Sequence, residues 1–367
     1  MFRVFSNNPR PLVVLEDWIR SKEYQRTHGG PLVIVDEKGR VALDKNGKPK
    51  PFRLVIVGLG GGIAGVVSAG MFEVLQEEGY NDDPIGLFPI SAAVPNALAF
   101  GCKKSHLVRP FYEDLVRRKF VRFFTRGDAR IRLHDDVIIP MLEILDHEAL
   151  RIYKSSIYTA VTEWESGKGS VVRLKVEEGP DHWSRIAEAA MTIPRFSPEI
   201  ELAGIHPHEP HRKAKYSDGA GSMPLPLGEA MKIMRPSHVL VIAPRPTTYD
   251  LSTWESLLHM SSMEWWASWW ESWIGLILLS TVPSATRRGT LSIDDEISRS
   301  LKRMHKVHPR VKCTALFPKR SISPFESDPM IVHNAGESGK DLMRECLEHA
   351  HMAIKRHQGE SELEPAS

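Results

Sequence analysis

Cysteine is scarce: Cys102, Cys313 and Cys346 are the only three in a chain of 367 residues. They are odd in number, far apart and form no C-x-x-C pair, which argues against a disulfide framework or a zinc site and for free thiols in a reducing compartment. Charge of one sign is lacking too. Lys and Arg number 48 against 46 Asp and Glu, a formal net charge of +2, so there is no electrostatic footprint for nucleic acid. Long hydrophobic runs are absent. None reaches the roughly 18 apolar residues of a membrane-crossing helix, and Ile274 to Val282, the longest candidate, is about half that. The start, MFRVFSNNPRPLVV, has neither the basic residues nor the apolar run of a secretory leader. These absences predict a cytoplasmic protein that meets a membrane only peripherally, at its surface.

What is present is the composition of a globular protein, 42% hydrophobic and 26% charged, with enough length to bury a core without staples. Residues 1–50 read as an N-terminal extension. Val13–Ile19 begins a short helix there, and PLVIVDEKGRVALDKNGKPK alternates like a hairpin. Residues 51–357 form the main domain, and 358–367, polar throughout, a disordered tail. The main domain opens with LVIV at Leu54–Val57, an apolar run suited to a strand buried on both faces. A glycine-rich turn follows, then a helix over Ile63–Glu78 stopped by Gly79, a second apolar run at Ile85–Ile90, and a helix starting near Ser91. Strand, tight loop, helix, strand, tight turn, helix predicts an α/β fold in three layers, with a mainly parallel central sheet between helices. Further strands are expected at Val171–Val176, Val239–Ala243 and Cys313–Phe317. Further helices are expected at Pro110–Arg118, Leu227–Met234, Ile293–His305 and Glu337–Arg356.

Three segments carry chemistry. In VGLGGGIAGVVSAG, Gly60, Gly61 and Gly62 lie between strand and helix, where backbone N–H groups point outward beside the positive end of a helix. Such a loop holds negative charge, either a phosphate or the oxyanion of an acyl-transfer intermediate. Gly60-x-Gly62-x-x-Gly65 also fits the dinucleotide fingerprint formally. That fingerprint needs a carboxylate at the end of the second strand, where this chain has Pro89, Ile90 and Ser91. In FPISAAVPNALAF, Ser91 sits where an apolar strand turns into a helix, the place of a nucleophile elbow. By itself such a serine also reads as a helix N-cap. In KYSDGAGSMPLPLGEAM, Asp218-Gly219 makes a turn before a helix, which alone reads as an Asx turn.

Together these segments resemble the patatin-like phospholipase family, in the right order: a glycine-rich oxyanion loop (GGGIAG, 60–65), a G-x-S-x-G elbow (here PISAA, 89–93) and an Asp-Gly-Ala motif (218–220). GVVSAGMFEVLQEEG resembles the helix after the oxyanion loop, AAMTIPRFSP the segment before the aspartate, and MPLPL the continuation after it. The resemblance covers roughly residues 51–350. It implies that Ser91 attacks an ester carbonyl, Asp218 acts as its base, and N–H groups around Gly60, Gly61 and Gly62 stabilise the oxyanion, with no histidine and no cofactor. The implied substrate is a lipid or other acyl ester of the phospholipid or lysophospholipid class. The elbow glycines are replaced by Pro89 and Ala93, the usual acidic residue of the loop by Leu59 and its usual arginine by Ala64. A catalytically degenerate relative that binds a lipid or a partner is therefore an alternative, and a nucleotide-binding oxidoreductase is a second.

Other patterns point less far. In MEWWASWWESWIGLILL, Trp265, Trp266, Trp269, Trp270 and Trp273 share one helical stripe, expected as a core-packing face or as a contact with a membrane or acyl chain. His206, His208 and His211 lie in a proline-broken loop, and Cys346 with His349 and His351 on a helix. The first set has no rigid element or carboxylate cluster beside it, and in the second only Cys346 and His349 share a face, so neither reads as a metal site.

Overall fold

The computed structural model describes residues 3–119, 131–194, 196–205, 211–246, 293–319, 322 and 326–362. Its elements in chain order are β1 (Arg3–Ser6), α1 (Val13–His28), β2 (Leu54–Gly58), α2 (Gly65–Glu77), β3 (Gly86–Pro89), α3 (Ala93–Gly101), α4 (Val108–Arg117), α5 (Ile139–Ile144), α6 (His147–Arg151), β4 (Ile157–Glu163), β5 (Gly169–Leu174), α7 (Pro180–Met191), β6 (Ile200–Ala203), β7 (Lys213–Asp218), α8 (Leu227–Met234), β8 (His238–Ile242), α9 (Ile293–Val307), β9 (Lys312–Phe317) and α10 (Pro329–Glu362).

Period-2 alternation along the central strands divides the core into two layers, because successive side chains leave a strand on opposite faces. Leu54, Ile56, Leu87, Ile157, Leu240, Ile242 and Leu316 join one cluster with residues of α1, α2, α3, α4, α7 and α10. Val55, Val57, Phe88, Val239, Val241, Cys313, Ala315 and Phe317 join the other with residues of α8 and α9. The fold is thus three-layered α/β, with helices on both faces of one sheet.

The strand order is β1-β9-β8-β2-β3-β4-β7-β6, with β5 also on β4. β9, β8, β2, β3 and β4 are mutually parallel, and antiparallel pairs lie at the flanks. The expected mainly parallel sheet is therefore parallel at its centre and antiparallel on both sides. Two features of this order position the site. First, β2 and β8 are neighbours, yet the next described helix lies on one face for β2 (α2) and on the other for β8 (α9). That is a topological switch point, and the crevice beyond such carboxyl ends is where α/β sheets bind ligands. Second, Ile157 pairs with both β3 and β5, and Val161 with both β5 and β7. A residue has one ladder partner on each edge, so β3 and β7 share a single edge of β4. They run along it from opposite ends, and their carboxyl ends converge near its middle.

The N-terminal residues are built into this sheet. β1 pairs antiparallel with β9. α1 extends well past the short helix expected at Val13–Ile19 and buries Val13, Val14, Leu15 and Trp18 completely. Charges inside that helix are paired. Asp17 accepts from His238 Nε2 (3.1 Å) and from Arg20 (2.8 Å) and also bonds Lys312. Although burial raises its pKa, the hydrogen bond from His238 and the Lys312 charge hold the Asp17 carboxyl well below the usual range. Residues 31–51, expected to contain a hairpin, carry isolated antiparallel bridges at Val33–Pro51, Val35–Val41 and Leu43–Pro49. α10 continues to Glu362, into the segment expected as a tail.

Candidate active site

The elbow is built from the end of β3. Pro89 pairs with Gly58 of β2, and Ile90 N–H donates to the Gly58 carbonyl (2.9 Å). Leu87 and Pro89 direct their nitrogens alike, toward β4. Leu87 N–H donates to Ser156 O (3.0 Å), and the β3–β4 ladder ends there, at Leu87–Ile157. A proline two positions on forfeits no hydrogen bond, and its carbonyl accepts from Thr159 Oγ1 (2.8 Å). Pro89 thus lies just past the end of the ladder, where β3 leaves the edge that β7 then occupies.

The turn that follows is tight. Ala93 N–H donates to Ile90 O (3.0 Å), Ser91 has φ 52° and Ala92 lies at φ −55°, ψ −14°. This is the φ pattern of a type II′ turn, whose first central position favours glycine. A serine held there carries backbone strain of about 1–3 kcal/mol, a cost met mostly at functional sites. Ala93 fits beside β2 without a clash, because the opposing residue is Gly58. A Cβ built on Gly58 would lie 2.9 Å from Ala93 Cβ. The room lost on one side of the elbow has been opened on the other.

The glycine loop faces the serine. A Cβ on Gly60 would lie 2.6 Å from Ser91 Cβ and one on Gly61 2.8 Å from Pro244 Cγ, while Gly62 has φ 57°. The N–H groups of Gly60, Gly61 and Gly62 donate to no backbone carbonyl of a described residue. Loop and elbow are tied together behind the site. Buried Asn96 of α3 donates to Gly65 O (3.0 Å) and Ser68 Oγ (2.9 Å) of α2. The Tyr112 hydroxyl of α4 donates to Ala92 O (2.6 Å).

Asp218 ends β7 at the middle of the shared edge, opposite Val161. Its N–H donates to Thr192 O (2.9 Å), its carbonyl accepts from Thr162 Oγ1 (2.8 Å), and its Oδ1 accepts from Ala220 N–H (2.8 Å). Gly219 lets this turn press onto β4, since a Cβ there would lie 2.3 Å from Ala160 O. The Asp218 side chain lies beside Ser91, close enough for the serine to lower the carboxyl's pKa. Burial pushes its pKa up to about 6, against the lowering effect of Ser91 and of the Ala220 N–H. A carboxyl so placed is largely ionised at neutral pH yet basic enough to accept a proton from a hydroxyl in the transition state.

Ser91, Asp218, Gly60, Gly61 and Gly62 line one cavity of about 160 Å³. Its other walls are largely apolar, with Leu59, Ile193, Ile297 and Phe317 among them, and Arg245 lies at the end of β8. Sequence reasoning did not single out Thr162, Thr192, Ile193 or Arg245. The only local signal for Arg245 is its place between two prolines just after the apolar run of β8. Trp265, Trp266, Trp269, Trp270 and Trp273 lie outside the described residues, as do His206 and His208. His211 is exposed and Cys346 buried. Among the described residues no three His, Cys, Asp or Glu gather as metal ligands, and no helix is long and apolar enough to cross a membrane.

No protein-family model matches the chain, and no curated protein does. Among solved structures it is similar to VipD from Legionella pneumophila, at a TM-score of 0.38 and 11% identity, over 85% of this chain and 70% of that one. That likeness is too slight to carry a functional reading, which has to come from the site.

Proposed function

We propose that the chain is a patatin-like serine acyl hydrolase that cleaves ester bonds of lipids of the phospholipid or lysophospholipid class. The observation that carries this reading is the strained Ser91 beside a buried carboxyl of raised pKa, in one cavity with the glycine loop. Ser91 Oγ attacks the ester carbonyl while Asp218 takes the hydroxyl proton. The oxyanion of the tetrahedral intermediate turns toward the N–H groups of Gly60–Gly62, usually the largest catalytic contribution. The C–O bond to the alcohol then breaks, and Asp218 returns its proton to the leaving oxygen. Water, deprotonated by Asp218, attacks the acyl-serine and frees the acid. The apolar walls at Leu59, Ile193, Ile297 and Phe317 suit an acyl chain.

A dinucleotide site is disfavoured, because β3 ends at Pro89 without a carboxylate and the loop looks onto Ser91 at contact distance. The test is labelling with a fluorophosphonate serine probe of the wild type, Ser91→Ala and Asp218→Ala. Labelling should vanish in the first variant and fall by at least about 100-fold in rate in the second. A folded wild type that takes no label would refute hydrolysis and favour a lipid- or partner-binding role.

A further inference from the structure

We infer that Arg245 reads the charge of the substrate: the ester carries an anionic group, phosphate or carboxylate, beside the scissile bond, held by the Arg245 guanidinium. The inference rests on the acyl-hydrolase reading of the same cavity and adds the class of ester it takes. Among the described residues lining that cavity, Arg245 is the sole cation and Asp218 the sole carboxylate, and Asp218 is engaged by the Ala220 N–H and lies beside Ser91. Arg245 is half-buried, yet it pairs with no carboxylate among the described residues. Arg10, Arg20 and Arg109 are comparably or more deeply buried, and each does: Arg10 with Glu16, Arg20 with Asp17 and Arg109 with Glu73. A partly desolvated guanidinium facing an apolar cavity is costly unless an anion completes it.

Its placement fits that use. Pro244 packs on Gly61, within 2.8 Å of where a Cβ would be, so the arginine springs from the wall beside the oxyanion loop. Prolines on both sides fix φ and hold its backbone rigidly, which lowers the entropy lost on binding. The loop donors serve the oxyanion, and the guanidinium supplies a second, adjacent anion site. Its planar fork matches both phosphate and carboxylate oxygens.

Three esters with one acyl chain separate the possibilities: 1-lauroylglycerol, its 3-phosphate, and 3-lauroylglycerate. For the wild type at pH 7, kcat/KM should favour one or both anionic esters over the neutral one by about ten- to a hundredfold, the worth of a charged hydrogen bond. Arg245→Gln should bring that ratio close to one, and Arg245→Lys should restore part of it. Which anion is preferred identifies phosphate or carboxylate. No preference in the wild type, or equal losses on all three esters in Arg245→Gln, overturns the inference. Calorimetric titration of Ser91→Ala protein with hexyl phosphate, hexanoate and hexanol, with and without Arg245→Gln, decides the matter without turnover. Anion binding that weakens at least about tenfold without the arginine supports the inference even if no ester is cleaved. Anion affinity that ignores the arginine refutes it, whatever the enzyme hydrolyses.

Discussion

Asp218→Asn should inactivate the protein and stabilise it at the same time. A carboxyl whose pKa rises from the ordinary 3.8 to about 6 on folding is held in a place that disfavours its charged form. Converted at 1.36 kcal/mol per pKa unit, that rise costs the folded state about 3 kcal/mol once both states are ionised. Asparagine has the same shape and keeps Oδ1 for the Ala220 N–H, but has no charge to desolvate. At pH 7 the variant should therefore be more stable by about 2–3 kcal/mol. For a chain of this length, with an unfolding entropy near 2 cal/mol/K per residue, that is a Tm higher by about 3–4 °C. The effect has a definite pH window. Below about pH 4 the carboxyl is protonated in both states and the wild type carries no penalty. Between pH 4 and 6 the unfolded chain loses the proton and the folded one keeps it, so wild-type stability falls relative to the variant. Above pH 6 the gap is complete. Thermal melts at pH 3, 4, 5, 6 and 7 would show a difference growing from almost nothing to its full size. Labelling of wild-type Ser91 should follow the opposite demand, rising through an apparent pKa of about 6 as the base ionises. Equal Tm gaps at pH 4 and pH 7, or a less stable variant at pH 7, would refute the claim that Asp218 is held ionised against its burial.

Two further substitutions probe the elbow. Ser91→Gly and Ser91→Ala should both fail to take a serine probe, but at φ 52° the glycine variant should be more stable by about 1 kcal/mol; equal melting temperatures would mean the turn is unstrained. Gly58→Ala should cost about 1–3 kcal/mol through the 2.9 Å approach to Ala93 Cβ, and most of that loss should return in Gly58→Ala combined with Ala93→Gly. Purely additive effects in that cycle would show that the two positions do not share the space.

What could be read from the sequence is what is local. β2, its glycine loop, α2, β3 and α3 follow one another within residues 54–101, and each announces itself by an apolar run, a glycine or a stop. The length of α1 is not legible in the sequence because its charges do not mark a wet face. Glu16, Asp17 and Arg20 are buried with Trp18, where Arg20 pairs with both carboxylates and His238 hydrogen-bonds Asp17, so a pattern of apolar and polar residues gives no sign of how deep the helix lies. The flanking strand β7 has the sequence KAKYSD. Its exposed start and its two apolar side chains, Ala214 and Tyr216, are too little to mark a strand, and only pairing with β4 and β6 makes it one. The pairing with β4 joins residues more than fifty positions apart, which no local pattern encodes.

The two replacements in the elbow show most clearly why a motif alone is an incomplete guide. Read singly, Pro89 and Ala93 look like damage to a turn that favours small, unhindered residues. In the fold each is answered by a distant residue. Pro89 lacks an N–H at the position where the ladder to β4 has ended, and Thr159 satisfies its carbonyl. Ala93 brings a methyl group to a spot that Gly58 leaves open. The early end of the ladder also has a consequence for the site. Because β3 releases the edge of β4 after Leu87, β7 can enter along the same edge from the other end and finish at Asp218, opposite Val161. The serine after one strand and the aspartate at the end of the other meet because two strands share one edge. A strand that kept its ladder through residue 89 would occupy the stretch of edge toward which β7 delivers the aspartate, so the residue that departs most from the motif is among those that bring the pair together.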